Sequence, residues 1–396
     1  MKNASTRNIL LVASLLLFQY CGNAQNQEES RTTQPVSIAE KEKPNQVTFV
    51  FAGDVMGHDS QINSAYDPKS RSYNYSPNYE YIAPYIKHAD VAVANLEVTL
   101  AGPPFKGYPQ FSSPDQLAIA LEEAGFDLLI TANNHSLDRG KSGLTRTYNV
   151  LDTMDFMKAG TYPSAKARAL EHPLIFEKNG IKIALLNYTY GTNGIKPTGG
   201  VVVNMIQPET IKEELAIARQ HDPDFIIATM HWGSEYQREE NEYQENLARL
   251  LFENGADLVV GSHPHVVQPI KKYGEDQLVA YSLGNYISNQ RKRYTDGGIM
   301  LEVTIEKDSD GTEIEDYKYL ATWVYKNYHD GNVTFQILPP SLYAEITDEV
   351  AISAAEKAKM EQFYQDTRQH LQGIKESDFY QKVKQASNIE ASQEKE

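Results

Sequence analysis

The chain has 396 residues, of which 41% are hydrophobic, so it is long enough to bury one large core or two ordinary ones. Its formal charge of −16 argues against a nucleic-acid partner, because phosphate backbones repel an acidic surface.

The first 24 residues have the composition of a secretory signal peptide. Lys2 and Arg7 precede an apolar run over residues 9–18, and small residues follow up to Ala24. The run is too short to span a membrane stably, and no second apolar run follows it. We therefore expect an exported chain, near −18 in charge after cleavage, without a transmembrane helix in its mature form.

Two cleavage sites compete within this segment. Residues 22–24 form an A-x-A-like site for ordinary signal peptidase, whereas Cys21 is the candidate for a lipid anchor behind the bulky Tyr20. Cleavage after Ala24 would remove the one cysteine, which excludes disulfides, thiolate-ligated zinc and a cysteine nucleophile. We expect a periplasmic or cell-surface protein and leave lipid anchoring through Cys21 open.

Residues 25–45 are polar without apolar periodicity and predict a disordered linker. From Gln46, short aliphatic runs alternate with amphipathic stretches such as 114–124 and 239–254, which indicates an α/β fold. The predicted strands are 47–53, 90–96, 126–132, 181–188, 224–230, 257–261 and 278–283.

The C-terminal third follows a different pattern. Beyond residue 297, strands alternate with Asp310-Gly311 and Asp330-Gly331, the signature of antiparallel hairpins. The main domain is predicted to cover 46–345, and 346–396 to form a polar helical extension.

Residues 66–85 are rich in tyrosine. This stretch holds six tyrosines and three prolines, which favours a long loop over a regular element. The loop could be a packed flap, or its rings could stack on sugars or peptides, and the sequence leaves both open.

Residues with metal-binding side chains recur at the carboxyl ends of the predicted strands, the edge at which open α/β sheets bind ligands. The mixture of carboxylates, imidazoles and an amide oxygen suits divalent zinc, manganese or iron better than calcium. Two ions that share a carboxylate would generate hydroxide near neutral pH for phosphoester hydrolysis. The residues are Asp54, Asn95, Glu97, Asn133, Asn134, His135, His231, His263 and His265.

Six motifs in order along residues 46–300 resemble the CapA family of poly-gamma-glutamate capsule biosynthesis proteins, a branch of the calcineurin-like metallophosphatase superfamily. The resemblance implies an α/β/β/α sandwich of four layers, here followed by C-terminal β-hairpins and a helical tail. It also implies a part in the synthesis, release or anchoring of such a capsule. The motifs are Gly53-Asp54-Val55-Met56, Asn95-Leu96-Glu97, Ala132-Asn133-Asn134-His135-Ser136-Leu137-Asp138, Met230-His231-Trp232-Gly233, Gly261-Ser262-His263-Pro264-His265 and Ser282-Leu283-Gly284-Asn285.

The resemblance assigns roles at the matching positions. His135 corresponds to the catalytic histidine, which would protonate the leaving oxygen, and Asp138 would orient it. Glu97 corresponds to the carboxylate that bridges two divalent metal ions. The ligands implied in addition to Glu97 are Asp54, Asn134, His231, His263 and His265. Residues expected to support the ligands or contact substrate are Asn95, Trp232, Glu235, Arg238 and Asn285.

The chain departs from the superfamily at its first metal. The usual Asp-x-His motif is here Asp54-Val55-Met56, so one imidazole is missing, and His58 could replace it only at a different spacing. The bridging aspartate is also a glutamate, as in the CapA branch.

Simpler structural roles stay open for single residues. A buried histidine can simply be hydrogen-bonded, Asp54 could cap a turn, and Trp232 could be a packed indole. Glu235 could form a rim salt bridge. Arg139 and Arg238 are candidates for holding an anionic substrate.

Two functions follow from these observations. The first is a hydrolase of the cell envelope that cleaves a phosphoester or amide bond in an anionic cell-surface polymer or its precursor. The second is a metal-binding or polymer-binding accessory subunit that works with capsule-assembly proteins. A nucleic-acid phosphodiesterase is disfavoured by the acidic charge.

Overall fold

The computed structural model describes residues 45–274, 276–329, 332–342 and 352–384. The predicted signal peptide with Cys21, the predicted Asp330-Gly331 turn and the predicted boundary at residue 345 lie outside these ranges, as does all but the last residue of the predicted linker. Within the described ranges, no helix is long and apolar enough to cross a membrane.

The strands are short except for three near the middle of one sheet. In chain order they are β1 (Asn45–Val55), β2 (Tyr66–Asp67), β3 (Ser72–Tyr73), β4 (Val91–Leu96), β5 (Leu128–Ile130), β6 (Met157–Ala159), β7 (Thr161–Tyr162), β8 (Leu174–Lys178), β9 (Ile181–Thr189), β10 (Val202–Val203), β11 (Phe225–His231), β12 (Leu258–Ser262), β13 (Ile270–Tyr273), β14 (Gln277–Ala280), β15 (Asn285–Ile287), β16 (Gly297–Lys307), β17 (Thr312–His329) and β18 (Asn332–Leu338).

The helices lie mainly between these strands. In chain order they are α1 (Asp59–Ala65), α2 (Ala83–Lys87), α3 (Gln116–Ala124), α4 (Gly140–Thr153), α5 (Ala165–Glu171), α6 (Pro208–Gln220), α7 (Glu242–Glu253) and α8 (Ala354–His370), with 3-10 turns at Ser76–Asn78 and Pro340–Leu342.

Most strands belong to two large sheets. The first has the order β18-β17-β16-β1-β4-β5-β6, with β15 also paired to β1, and the second has the order β13-β14-β12-β11-β9-β8. Strands β1, β4, β5 and β6 run parallel, as do β9, β11, β12 and β14. Their carboxyl ends therefore meet at one edge of each sheet, where ligands bind in such folds.

Alternation along the strands builds three cores. Phe49 of β1 and Ile183 of β9 belong to the core between the two sheets. Val50, the neighbour of Phe49, points the other way and packs with helix α3, because successive strand residues face opposite sides. Leu186 of β9 likewise packs with helices α6 and α7 on the far side of the second sheet. The predicted α/β/β/α sandwich of four layers is confirmed.

Each of the seven predicted strands is present within a few residues. The last one ends at Ala280 rather than 283, because the chain leaves the sheet there to approach the polar strand ends. Strands β6 and β8 were not predicted: β6 has three residues, and β8 lies at the edge of its sheet with no residue fully buried.

The C-terminal segment packs on the first sheet. Strands β16 and β17 form a hairpin whose turn includes the predicted Asp310-Gly311, and β17 pairs antiparallel with β18. Helix α8 buries Met360 and Phe363 in one cluster with Trp323 of β17. The predicted helix thus exists within the polar extension, and its apolar residues cover the hairpin.

The tyrosine-rich stretch is a packed flap with short elements of its own, including β2, β3 and α2. Tyr75, Tyr79 and Tyr85 are almost completely buried. Tyr79 stacks on Tyr286 with 6.1 Å between ring centroids. The packed alternative therefore describes these three rings, whereas Tyr66 keeps 41% of its surface exposed.

Candidate metal centre

Strand β1 delivers Asp54 to the edge where the carboxyl ends meet. Asp54 lies opposite Asn95 of β4 and Asn285 of β15, and irregular pairing between Ala52 and Asp54 redirects the strand there. A Cβ atom on Gly53 would come within 2.0 Å of the Gly284 carbonyl oxygen, so only glycine allows this close approach. The two strands thereby bring Asp54 and Asn285 together.

The second sheet supplies the imidazoles. His231 is the last residue of β11, and its Nδ1 lies 3.0 Å from the Ser262 hydroxyl at the end of β12. His263 and His265 follow at φ angles of 100° and 58°, in the left-handed region that side chains larger than glycine rarely adopt. Such strain at polar strand ends is typical of functional sites, where it aims side chains at a common point.

Potential metal-ligand atoms converge in two groups. Glu97, His231 and His263 form one, and Asp54, Glu97 and His265 form the other, with the atoms of each group within 4.8 Å of one another. Glu97 belongs to both groups, which is the position a bridging carboxylate needs. The Asn134 Oδ1 atom lies 2.9 Å from His231 Nε2, so the amide oxygen joins the first group.

Glu97 is fully buried, and neither of its carboxylate oxygens has a hydrogen-bond partner. Burial raises the pKa of Glu97 well above its ordinary value, and the nearby negative charge of Asp54 raises it further. Its nearest imidazole nitrogens are His231 Nε2 at 3.6 Å and His265 Nε2 at 3.9 Å. Burying a charged acid without donors is costly, and a bound cation is the partner that would offset this cost.

Asp54 is equally buried but is held by donors. Burial would raise the pKa of Asp54, but the hydrogen bond and charge of His265 outweigh it, so the pKa lies below its ordinary value. His265 Nδ1 lies 3.1 Å from Asp54 Oδ2 and 3.1 Å from Asn285 Oδ1, while Asn95 donates to Asp54 Oδ1 at 2.8 Å. Asn95 and Asn285 therefore contact the candidate ligands Asp54 and His265.

His231 and His263 are kept neutral, which is the form that binds metal. Burial lowers the pKa of His231 well below its ordinary value, and the charges of His263 and His265 add to the effect. Burial and then His265 lower the pKa of His263 to about 3. The Nδ1 atom of His263 is buried without a hydrogen-bond partner. The donor set of carboxylates and neutral imidazoles thus fits a divalent metal.

His135 lies beside the candidate ligands, and Asp138 holds its ring in place. Its Nδ1 is 2.7 Å from Asp138 Oδ2, which also accepts a hydrogen bond from the Phe111 backbone at 2.7 Å. The Phe111 ring contacts the imidazole edge-on at 4.7 Å. Asp138 therefore fixes the ring and leaves Nε2 free for chemistry, in the arrangement that the resemblance implied.

Other predicted residues lie elsewhere or are engaged differently. Trp232 does not line the site: it is fully buried in the core beside α7, and its indole donates to the Tyr281 carbonyl at 2.9 Å. Arg238 donates to the Asp366 carbonyl at 3.1 Å, and its guanidinium stacks on Tyr294 at 4.3 Å. Arg238 thus ties the loop to helix α8 rather than presenting a free cation.

His58 does not replace the missing imidazole in either ligand group. The Nδ1 atom of His58 lies 3.1 Å from Gln61 Oε1 and 3.4 Å from the Asn289 backbone nitrogen. Met56 is buried in the core between the first sheet and helix α3. Glu235 is exposed, and its charge contributes to the raised pKa of Glu97, so it lies near the centre. Arg139 is half-buried near the Pro104 carbonyl at 3.5 Å.

Two residues at the site were missed from the sequence because they follow β9 without a recognisable motif. Asn193 Oδ1 accepts from Asn134 Nδ2 at 3.3 Å, and Asn193 Nδ2 lies 3.4 Å from His135 Nδ1. The Tyr190 ring lies 4.5 Å from His263 and stacks parallel to His231 at 6.2 Å. Strand β9 ends at the same sheet edge as β11. Because ligands bind at that edge in such folds, the positions of Tyr190 and Asn193 just after β9 could have identified them.

Comparison with known proteins gives a match to a family described as bacterial capsule synthesis protein PGA_cap, over residues 48–290. The capsule biosynthesis protein CapA of Bacillus anthracis is 27% identical over 278 residues, covering 66% of this chain and 64% of that protein. The PGA biosynthesis protein CapA of Bacillus subtilis is 29% identical over 245 residues, covering 59% and 62%. The chain thus spans a little under two thirds of these relatives.

Solved structures show a looser likeness. The calcineurin-like phosphoesterase YfkN of Bacillus subtilis is 16% identical with a TM-score of 0.43, covering 81% of this chain and 99% of that chain. The NAD nucleotidase of Haemophilus influenzae is 14% identical with a TM-score of 0.47, covering 83% and 67%. At these scores they say nothing about substrate, and the fold described above rests on the two sheets of this chain.

Proposed function

Because the chain belongs to the PGA_cap family of bacterial capsule synthesis proteins, we propose that it is an exported metal-dependent hydrolase of capsule or poly-gamma-glutamate biosynthesis. The observation that supports it best is Glu97, a buried carboxylate with two unpartnered oxygens that is shared by two ligand groups. A buried acid with no donor is an expensive feature for a purely structural site.

Two divalent ions, manganese, zinc or iron, fit the donor set. Asp54, Glu97 and His265 would hold one ion, and Glu97, His231, His263 and Asn134 would hold the other. When bound, such a pair supplies an activated water and stabilises the oxygens of the bond being cleaved.

The residues of the chain supply the rest of the chemistry. His135, with Nδ1 held by Asp138 at 2.7 Å, offers Nε2 as a proton donor to the leaving oxygen. The substrate would be an anionic cell-surface polymer or its precursor, cleaved at a phosphoester or amide bond. The protein would act in the periplasm or at the cell surface, with Cys21 as the candidate lipid anchor.

One observation favours a second function. Met56 stands where the superfamily has a ligand histidine, and His58 is engaged by Gln61 and the Asn289 backbone. The first ion would then have fewer protein ligands and would bind more weakly. In this alternative the chain is an accessory subunit that binds metal or polymer within a capsule-assembly complex.

A metal and activity measurement on the chain without residues 1–24 separates the two functions. Elemental analysis should find close to two ions per chain, and phosphomonoesters or phosphodiesters should be hydrolysed with added manganese or zinc. His135→Ala should lower turnover by about 10² to 10⁴ while metal content stays unchanged, because His135 is not a ligand. His263→Ala should lose metal.

The accessory function predicts another result. Turnover would be undetectable in the wild type under every metal condition, and His135→Ala would leave polymer binding unaltered. Absence of bound metal after loading with manganese, zinc and iron would overturn the proposal that the chain is a metal-dependent hydrolase.

A further inference from the structure

Three tyrosines with exposed rings surround the candidate metal centre. Tyr108 is 69% exposed, and Tyr190 and Tyr236 are each 42% exposed. Single exposed tyrosines such as Tyr243 and Tyr328 occur elsewhere on this chain, whereas three exposed rings near one polar site form a cluster of the kind that binds a ligand.

Two of the rings lie next to candidate metal ligands, and the third reaches His135 through Phe111. The Tyr190 ring lies 4.5 Å from His263, and the Tyr236 ring lies 6.2 Å from His265. Tyr108 contacts Phe111 edge-on at 6.4 Å, and Phe111 in turn packs against the catalytic histidine. The three rings therefore form one rim, which we call the tyrosine rim, around the groups that would carry out hydrolysis.

The backbone of Tyr236 gives independent support for a role in binding. Its φ angle is +67°, a left-handed conformation that a tyrosine rarely adopts, and its N–H donates to the Pro264 carbonyl at 2.8 Å. Glycine or asparagine would take this position without strain. Strain of this kind persists where it holds a side chain for function, and here it presents a half-exposed ring beside His265.

Charges of both signs lie near the tyrosine rim. Lys292 Nζ lies 5.0 Å from the centre of the Tyr236 ring, while burial and then the negative charge of the exposed Glu235 raise the pKa of both Tyr190 and Tyr236. A site for a polyanion would gather cations, as phosphate-binding and carboxylate-binding surfaces do. Exposed aromatic rings with charges of both signs nearby instead suit an uncharged sugar ring, because an aromatic face packs on apolar C–H groups while the phenol hydroxyl forms hydrogen bonds with sugar hydroxyls.

We propose that Tyr108, Tyr190 and Tyr236 bind the sugar ring of a phosphorylated saccharide whose phosphate faces the metal centre. This inference rests on the proposed function, since it names the group beside the bond that the centre would cleave. Stacking of the sugar ring on the tyrosine rim contributes affinity. The site therefore prefers the phosphoester of a cyclic sugar to the phosphoester of a linear alcohol.

Binding of two phosphoesters to the zinc-loaded protein, which is diamagnetic, tests the proposal. Glucose 1-phosphate carries the ring, and glycerol 1-phosphate carries the same phosphate on a short linear alcohol. Dissociation constants from saturation-transfer NMR do not depend on turnover. The wild type should prefer the sugar ester, and Tyr236→Leu and Tyr108→Leu should each reduce that preference by about threefold to tenfold, the value of one aromatic contact.

Tyr243→Leu is the matched control, because Tyr243 is 50% exposed but lies on α7, behind the second sheet. It should leave the preference unchanged. Metal content of every variant is measured in parallel, so that loss of an ion is not mistaken for loss of stacking.

The outcomes are distinct. Equal affinity of the wild type for both esters would overturn the tyrosine rim as a sugar site while leaving the metal centre intact. Failure of both esters to bind the metal-loaded protein would instead count against the proposed function. Tighter, rim-dependent binding of a γ-linked glutamyl peptide than of glucose 1-phosphate would replace the saccharide with a peptide ligand.

Discussion

Glu97 and Glu214 are both buried glutamates at the polar side of a sheet or helix, yet the chain surrounds them in opposite ways. Glu214 accepts hydrogen bonds from Arg168, from His172 at 2.8 Å and from Tyr188 at 2.6 Å. Burial would raise the pKa of Glu214, but these donors, led by His172, lower it to about 2. Glu97 has no donor on either oxygen.

The difference separates a carboxylate whose charge is offset within the chain from one that is a candidate metal ligand. Glu214 on α6 joins β9 to α5 through its partners, and the donors offset the cost of taking its charge out of water. Glu97 faces Asp54 and accepts no hydrogen bond on either oxygen, so a bound cation is the partner that would offset its charge. Burial alone therefore does not distinguish the two carboxylates, whereas the presence or absence of hydrogen-bond donors does.

The largest expected effect is on metal binding after Glu97→Gln. The wild type should gain about 2.7 kcal/mol in free energy of unfolding at a metal concentration 100 times the dissociation constant, and the variant should gain little. In chelator the variant should be more stable than the wild type, because the substitution removes an unpaired buried charge. Thermal unfolding with and without manganese measures both, and equal metal stabilisation of the two proteins would contradict the role of Glu97.

Glu214→Gln should act on stability without affecting metal. Removing the charge leaves Arg168 and His172 with a weaker partner, and we expect a loss of about 3 to 5 kcal/mol in free energy of unfolding. Urea denaturation measures it, with the exposed Glu209→Gln on the same helix as control. A change in metal content equal to that of Glu97→Gln would erase the distinction between the two glutamates.

Asn193→Gly tests how far the ligands depend on neighbours. Glycine tolerates the φ angle of 50° at this position, so the variant removes the amide without adding strain. Because Asn193 orients both Asn134 and His135, metal affinity or turnover should fall by about tenfold to a hundredfold. Metal titration and the pH profile of turnover are the readouts, with the exposed Asn149→Ala as control. An unchanged metal affinity and an unchanged pH profile of turnover would show that Asn193 does not orient Asn134 or His135.

The smallest effect is a gradual dependence of stability on pH. Glu302 resembles Glu214: burial opposes the shift, but His88, Lys318 and Tyr85 lower the pKa of Glu302 to about 2. Both glutamates have folded pKa values below the ordinary value of 4.5, so their stabilisation is complete above about 4.5 and is lost as pH falls toward 2. Unfolding of the wild type and Glu214→Gln across pH 2 to 7 should converge at low pH, and a constant difference would contradict the shift.

The strand pattern and the ligand types were readable from the sequence because they are local. Runs such as 47–53 and 181–188 are apolar on both faces, which a buried parallel strand requires. The polar residue after each run then falls at the sheet edge. The sequence left two roles open for Trp232, and the structure shows the packed indole, because the residue after His231 in an extended chain points to the opposite face.

The sequence by itself therefore determined the buried parallel strands and the antiparallel hairpin strands, the order of the motifs, and the chemistry of the candidate metal ligands. These features depend on neighbouring residues. Only the tertiary structure decided that neither oxygen of Glu97 has a hydrogen-bond donor, that Asn193 contacts Asn134, and that Arg238 is engaged by helix α8. Those relations join residues dozens to more than a hundred positions apart, and such distances are fixed by packing of the two sheets rather than by local preference.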